Sequence, residues 1–230
     1  MKKPVQLLRS WIPEHVSSRT VLEVMDFLRI VPAAGRQARR RHYVQNSAVW
    51  QMLRHTAAGA GGLIENQHGC TGMVCGQAGI PGCGCEIIAC YNVCLLLGLS
   101  VPGDFPGLIR QFERYGLAAG GWFGAPPKAI HDYFLKRGRQ VRMTLREADF
   151  DRTAADSRVL VVTVYNDRKD IGAEIHTYAV SVEETAQGRR YIGHNVTCDG
   201  RVAAPAESLT ALIRRESGGR AGGICCIGIS

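Results

Sequence analysis

The chain lacks any apolar run close to the ~20 residues that a membrane crossing requires. Its longest, Ile87–Leu99, is interrupted by Asn92. An apolar export core is also missing: Met1-Lys2-Lys3 is followed too soon by Arg9, Glu14 and His15 for one to form. These two absences predict a cytoplasmic protein with no membrane span. No C-x-x-C pair occurs among Cys70, Cys75, Cys83, Cys85, Cys90, Cys94, Cys198, Cys225 and Cys226, and the number is odd. Without an export signal, that pattern argues against a disulfide framework and for thiols, metal ligands or a nucleophile. No internal repeat and no low-complexity tract appears beyond one glycine-rich stretch.

Acidic residues are the minority sign, 20 against 28 Lys plus Arg, which leaves a net charge of +8. A basic surplus favours anionic partners. It is gathered at Arg36, Arg39, Arg40, Arg41 and His42, and more loosely from Arg137 to Arg146. Neither cluster carries aromatic interleaving or a recognised nucleic-acid motif. Both read first as solvated faces, and nucleic acid is not an expected partner.

What is present suits a folded chain: 46% hydrophobic against 21% charged residues is enough to build a core rather than remain disordered. The length fits one domain, residues 56–230, with a helical basic arm over residues 1–55. In that arm Val21, Val24, Met25 and Leu28 recur at helical spacing, with Thr20 and Glu23 as a capping box. Pro32 to Gly35 breaks the pattern, and Arg36 to His55 forms a second helix. Thr56 to Gly84 is a loop by composition. Helices follow over Cys85–Leu97 (stopped by Gly98), Pro106–Tyr115 and Pro127–Arg137 (stopped by Gly138). The period then shifts to two over Gln140–Leu145, Arg158–Tyr165, His176–Val182, Arg190–His194 and Gly223–Ile229. Helices first and an antiparallel sheet later make an α+β fold.

The chemistry concentrates where the glycine-rich loop enters an apolar helix, at Gly82-Cys83-Gly84-Cys85-Glu86. Unpaired N–H groups and the helix dipole at such a junction favour a thiolate and can hold an oxyanion. A thiol needs a base, and the base an orienting partner. His176 opens an apolar strand, and Asn195 ends the next one across a short turn at Gln187-Gly188. The order Cys, His, Asn is that of papain-like enzymes.

The segment Gly84-Cys85-Glu86-Ile87-Ile88-Ala89-Cys90-Tyr91-Asn92, with Leu95-Leu96-Leu97-Gly98, resembles papain-like cysteine peptidases. The closest resemblance is to the bacterial double-glycine-leader peptidases that trim bacteriocin precursors. It extends through Gly120–Phe134 and the strand from His176, and it leaves the N-terminal arm unmatched. It implies a papain-like fold with the nucleophile helix packed on a C-terminal antiparallel sheet, and a peptide or protein substrate with small residues at the cleavage point. It implies Cys85 as nucleophile, His176 as base and Asn195 as orienting residue. The family's oxyanion donor is a glutamine shortly before the cysteine. Gln77 stands eight residues before Cys85 and six before Cys83, so Cys83 stays open as the alternative nucleophile. His194 is an alternative base, opposite Asn195 by alternation.

Bland readings stand beside these. Cys90 and Cys94 read as small buried hydrophobes, and His176 and Asn195 also suit an edge strand and a turn. No cofactor or metal is expected. The rival is a zinc site drawn from Cys70, Cys75, Cys83, Cys85 and His68 in an accessory protein, against which the spacing argues. A non-catalytic peptide-binding or acyl-transferring member of the same fold is the other alternative.

Overall fold

A computed structural model describes residues 17–29, 34–169 and 175–230. The first part of the expected arm, the break at Pro32 and Glu174 lie outside the described residues.

Helix α1 (Ser18–Leu28) is capped by Ser17, whose hydroxyl accepts from the Thr20 N–H at 3.2 Å. The cap thus falls three residues before Thr20. Glu23, expected to close a capping box, instead pairs with Arg19 at 2.8 Å, one turn earlier. Helix α2 (Arg36–Ala57) does not stand apart from the rest. Its Trp50 is buried against Tyr91 and Phe105, with ring centroids 6.2 and 5.2 Å away, and donates to Asp104 Oδ2 at 2.7 Å. Asn46 and Val74 exchange two 2.8 Å bonds, side chain to backbone.

The glycine-rich loop contains a minimal hairpin, β1 (Val74–Cys75) and β2 (Ala78–Gly79), and one turn of helix, α3 (Ile80–Cys83). Helix α4 (Cys85–Leu96) comes next and is buried on every side from Cys85 to Cys94. An all-round apolar surface sends a helix to the centre of a fold rather than to its surface. Its buried Asn92 is satisfied locally. Asn92 accepts from the Ile64 N–H at 2.8 Å and donates to the Ile64 carbonyl at 2.9 Å, which fastens the loop to the helix. Helices α5 (Asp104–Tyr115) and α6 (Pro127–Leu135) complete this layer.

The sheet follows: β3 (Val141–Thr144), β4 (Val159–Tyr165), β5 (Ile175–Thr185), β6 (Gly188–His194) and β7 (Gly222–Ile229). Its order is β3-β7-β4-β5-β6 and every pairing is antiparallel. All seven residues of the central β4 are buried, because both faces of the sheet are covered. Val159, Val161 and Tyr165 join the core formed with α2, α4, α5 and α6. Leu160, Val162 and Val164 join a second core with helices α7 (Phe150–Ala155) and α8 (Leu209–Glu216), through Phe150, Leu209, Leu212 and Ile213. Neither α7 nor α8 is marked by the periodicity of the sequence. The fold is α+β, as the sequence predicts. Among the described residues no helix is long and apolar enough to cross a membrane.

Candidate active site

Cys85 is the first residue of α4, and the backbone before it is tightly fixed. A Cβ on Gly84 would lie 2.8 Å from the Ile80 carbonyl oxygen, so only glycine fits the turn that delivers the cysteine. His176 is the second residue of β5, paired with Val164 of β4. The Thr177 backbone acts on the Cys85 thiol and favours its ionised form. The thiol therefore lies beside the peptide unit that begins at His176. Cys85 and His176 line one cavity of about 350 Å³, together with Gln67, His68 and Cys198.

Asn195 comes into the site in an unexpected way. It sits at φ 61°, a left-handed conformation that asparagine tolerates better than most residues. There its backbone carbonyl, not its side chain, lies 2.7 Å from His176 Nε2. A carbonyl only accepts, so Nε2 carries the hydrogen and Nδ1 is left as the basic lone pair. The Asn195 amide is occupied by Gln67. Its Oδ1 accepts from the Gln67 N–H at 3.1 Å, and its Nδ2 donates to Gln67 Oε1 at 3.0 Å. Gln67 Nε2 in turn donates to the carbonyls of Ile80 and Pro81 at 3.2 and 3.1 Å. This buried glutamine therefore ties the turn that contacts His176 to the helical turn before Cys85.

Gln77 is elsewhere. It lies on the β1–β2 turn, exposed, and its Oε1 accepts from the Trp122 indole N–H at 3.1 Å. Trp122 lines a cavity together with Cys85, whereas Gln77 itself lines neither of the two cavities that Cys85 lines. The hairpin turns its side chain outward, and the glutamine in the cysteine's cavity is Gln67. The donors at hand are the backbone N–H groups of the first turn of α4.

Two further residues belong to the site. Buried Glu65 faces His194 Nδ1 at 2.7 Å through Oε1 and accepts the Asn195 N–H at 2.6 Å through Oε2. The other nitrogen of His194 lies 2.9 Å from Ser181 Oγ. With both nitrogens engaged, His194 braces the turn and has no free lone pair for a substrate. Cys198 places Sγ 3.6 Å from His176 Nε2 and 4.0 Å from Nδ1. The sequence held two signals for these roles: a Glu-x-Gln pair inside a loop otherwise poor in large polar groups, and a cysteine three residues past Asn195. Neither has a recognisable spacing to the nucleophile.

The electrostatics differ from the expectation of a lowered thiol pKa. Burial pushes the Cys85 thiol well above its ordinary range, and the neighbouring Glu86 carboxyl adds to the rise. Thr177 opposes this only in part. The helix start is present, but dehydration and an adjacent carboxylate outweigh it. Burial raises Glu86 itself to about 7, and its Oε2 has no hydrogen-bond partner. A Cβ on Gly124 would meet that oxygen at 2.4 Å. Burial also lowers His176, against the raising effect of the Asn195 bond. Both directions favour the uncharged forms of the thiol and the imidazole.

All nine cysteines are free thiols. Among the described residues no three His, Cys, Asp or Glu side chains gather where they could hold a metal ion, and the candidate zinc ligands of the glycine-rich loop do not form such a group.

Comparison with known proteins gave no matching family model, no matching curated protein and no matching solved structure.

Proposed function

We propose that the chain is a papain-like cysteine hydrolase that cleaves a peptide or amide bond through Cys85 and His176. One observation carries the reading. A thiol at the start of a buried helix and an imidazole whose Nδ1 carries the lone pair line one cavity, and the Asn195 carbonyl holds the other nitrogen of the imidazole. His176 Nδ1 takes the Cys85 proton as the sulfur attacks the substrate carbonyl carbon. Backbone N–H groups of α4 receive the oxyanion. Collapse expels the amine, which leaves with the proton held by His176, and water then releases the acid and restores the thiol. Because the uncharged forms are favoured, the proton moves during attack rather than before it. The peptide substrate has a place to lie. A second, apolar cavity of about 560 Å³ reaches Cys85 between α1 and Trp122–Gly124, lined by Val21, Val24, Met25, Leu28 and Phe123.

A second reading rests on the 3.6 Å approach of Cys198 to His176, which makes Cys198 the nucleophile. Unlike Cys85 it is not the first residue of a helix, although it lines the same cavity as the start of α4.

The test is hydrolysis of a short, apolar-flanked peptide with small residues at the scissile bond, together with peptide mapping after a brief iodoacetamide pulse. Cys85→Ser and His176→Ala should each lower kcat by about 10³-fold or more while the fold is retained. The label should fall on Cys85. Label on Cys198, and loss of turnover only in Cys198→Ser, would transfer the role. Full turnover by Cys85→Ser and Cys198→Ser alike would end the proposal. Rate should rise with pH through a value below the ordinary ~6.5 of histidine, since burial holds His176 neutral to lower pH.

A further inference from the structure

The two cavities that meet at Cys85 divide a substrate between them. Gly82, Cys85 and Ile175 line both, whereas His176 lines only the one of about 350 Å³. The division rests on the hydrolase reading: His176 hands its proton to the leaving amine, so that half of the substrate lies on its side. The acyl half is left with the apolar cavity of about 560 Å³ between α1 and Trp122–Gly124. Val21, Val24, Met25 and Leu28 give this cavity an aliphatic wall, and Trp122 and Phe123, 62% and 61% exposed, add two aromatic rings.

Among the described residues one acid and no Lys, Arg or His line the apolar cavity. The acid is Glu86, only 6% exposed, and its Oε2 has no hydrogen-bond partner. The carboxyl keeps this place because residue 124 is glycine: it sits at φ 62°, and a Cβ there would lie 2.4 Å from Oε2. A buried carboxyl without a partner is costly. The backbones of Glu86 and Ala125 nevertheless act on this one to favour its ionised form, against the effect of burial. The titratable groups around it are the thiols of Cys75, Cys83 and Cys85, and none of them offers a positive charge.

We propose that Glu86 selects substrates whose acyl half carries a lysine or arginine side chain beside the small residue at the scissile bond. The aliphatic stem of such a side chain suits the wall given by α1. Its charged head is attracted to aromatic faces, and the carboxylate supplies the partner that Oε2 lacks. An apolar side chain of the same length would fill the cavity and leave that oxygen unpaired. Helix α1, which the papain-like resemblance leaves unmatched, thus forms one wall of the specificity cavity.

The test compares hydrolysis of acetyl-arginyl-glycyl-aminomethylcoumarin with that of its citrulline and norleucine counterparts, which lack the charge. In the native chain kcat/KM should favour arginine over citrulline by about tenfold or more. In Glu86→Gln that ratio should fall to about one. Any change the variant makes in the reactivity of Cys85 acts on all three substrates and cancels in the ratio. The native ratio should also grow as pH rises through about 7, where burial has moved the Glu86 carboxyl, because the ionised form is the one that discriminates. Calorimetric titration of the Cys85→Ser chain with acetyl-arginyl-glycinamide and its citrulline analogue reads the same preference without turnover. Tenfold tighter binding of the arginine peptide with no hydrolysis of any substrate would end the hydrolase reading and uphold the Glu86 site. Three results would each overturn the proposal: a ratio near one by both measurements in chains that keep Glu86, a ratio that Glu86→Gln leaves intact, or a preference for norleucine over arginine.

Discussion

Asn195 meets the His176 ring with its main-chain carbonyl and secures the turn with its side chain. Substitutions therefore separate the two roles. Asn195→Gly keeps the carbonyl and the φ of 61°, whereas Asn195→Ala adds roughly 1 kcal/mol of left-handed strain. Both lose the clasp with Gln67. The glycine variant should retain more kcat than the alanine variant, with KM nearly unchanged in each; equally large losses in both would return the orienting role to the amide. Glu86 permits a second test at this scale. Its carboxyl is raised to about 7 in the folded chain, so the native state holds that proton more tightly than the unfolded state. Stability from this group is present at low pH and falls as pH rises from about 4.5 to 7, by on the order of 3 kcal/mol. Glu86→Gln should flatten that fall in urea denaturation midpoints followed across pH. It should also speed alkylation of Cys85 by removing a neighbouring negative charge. Cys94 is a useful internal control: a hydrogen bond from Cys90 draws its thiol down to about 7, yet it is fully buried and should label slowly.

Among the elements, α4 and the loop before it form one unit. The loop encloses the helix start and is fastened through Asn92 to Ile64 and through Gln67 to Ile80 and Pro81. The basic helix α2 is fixed to the same unit by Trp50, which fills the angle between Tyr91 of α4 and Phe105 of α5. Removing that ring leaves a cavity and unpairs Asp104 Oδ2 from the indole. Trp50→Ala should cost about 3–5 kcal/mol, read as a lowered denaturation midpoint. A cost near zero would mean that α2 is the detachable arm its composition suggests.

On the scale of the whole molecule, the sheet joins two cores that share β4 residue by residue. Phe150 belongs to the core beneath α7 and α8, and Trp50 to the core on the opposite face. Because β4 belongs to both, neither core can open alone without exposing its strands. Phe150→Ala should lower the same single transition that Trp50→Ala lowers. The two costs should add, as expected for distant sites without shared partners. Separate transitions by tryptophan fluorescence and circular dichroism would show two independently melting halves.

How much of this was legible in the sequence depends on whether the information was local. Helix α4 was readable because a glycine-flanked apolar run states its own boundaries. The five strands were readable because period-two alternation between turn residues is a short-range signal, and the helices-then-sheet order gave the α+β class. The short helices α7 and α8 were missed, since six and eight residues of mixed composition form a helix only when the far face of a sheet is there to pack against. The order Cys85, His176, Asn195 was visible in one dimension. Four things depended on contacts between residues far apart in the chain: which atom of Asn195 faces the imidazole, which glutamine enters the cavity, how far burial and Glu86 raise the thiol, and where Cys198 lies. Charge shows the same division. The sequence determined that an acid follows Cys85, but only the packing of α1 and Trp122–Gly124 set the Glu86 carboxyl in an apolar cavity, because those walls come from far along the chain.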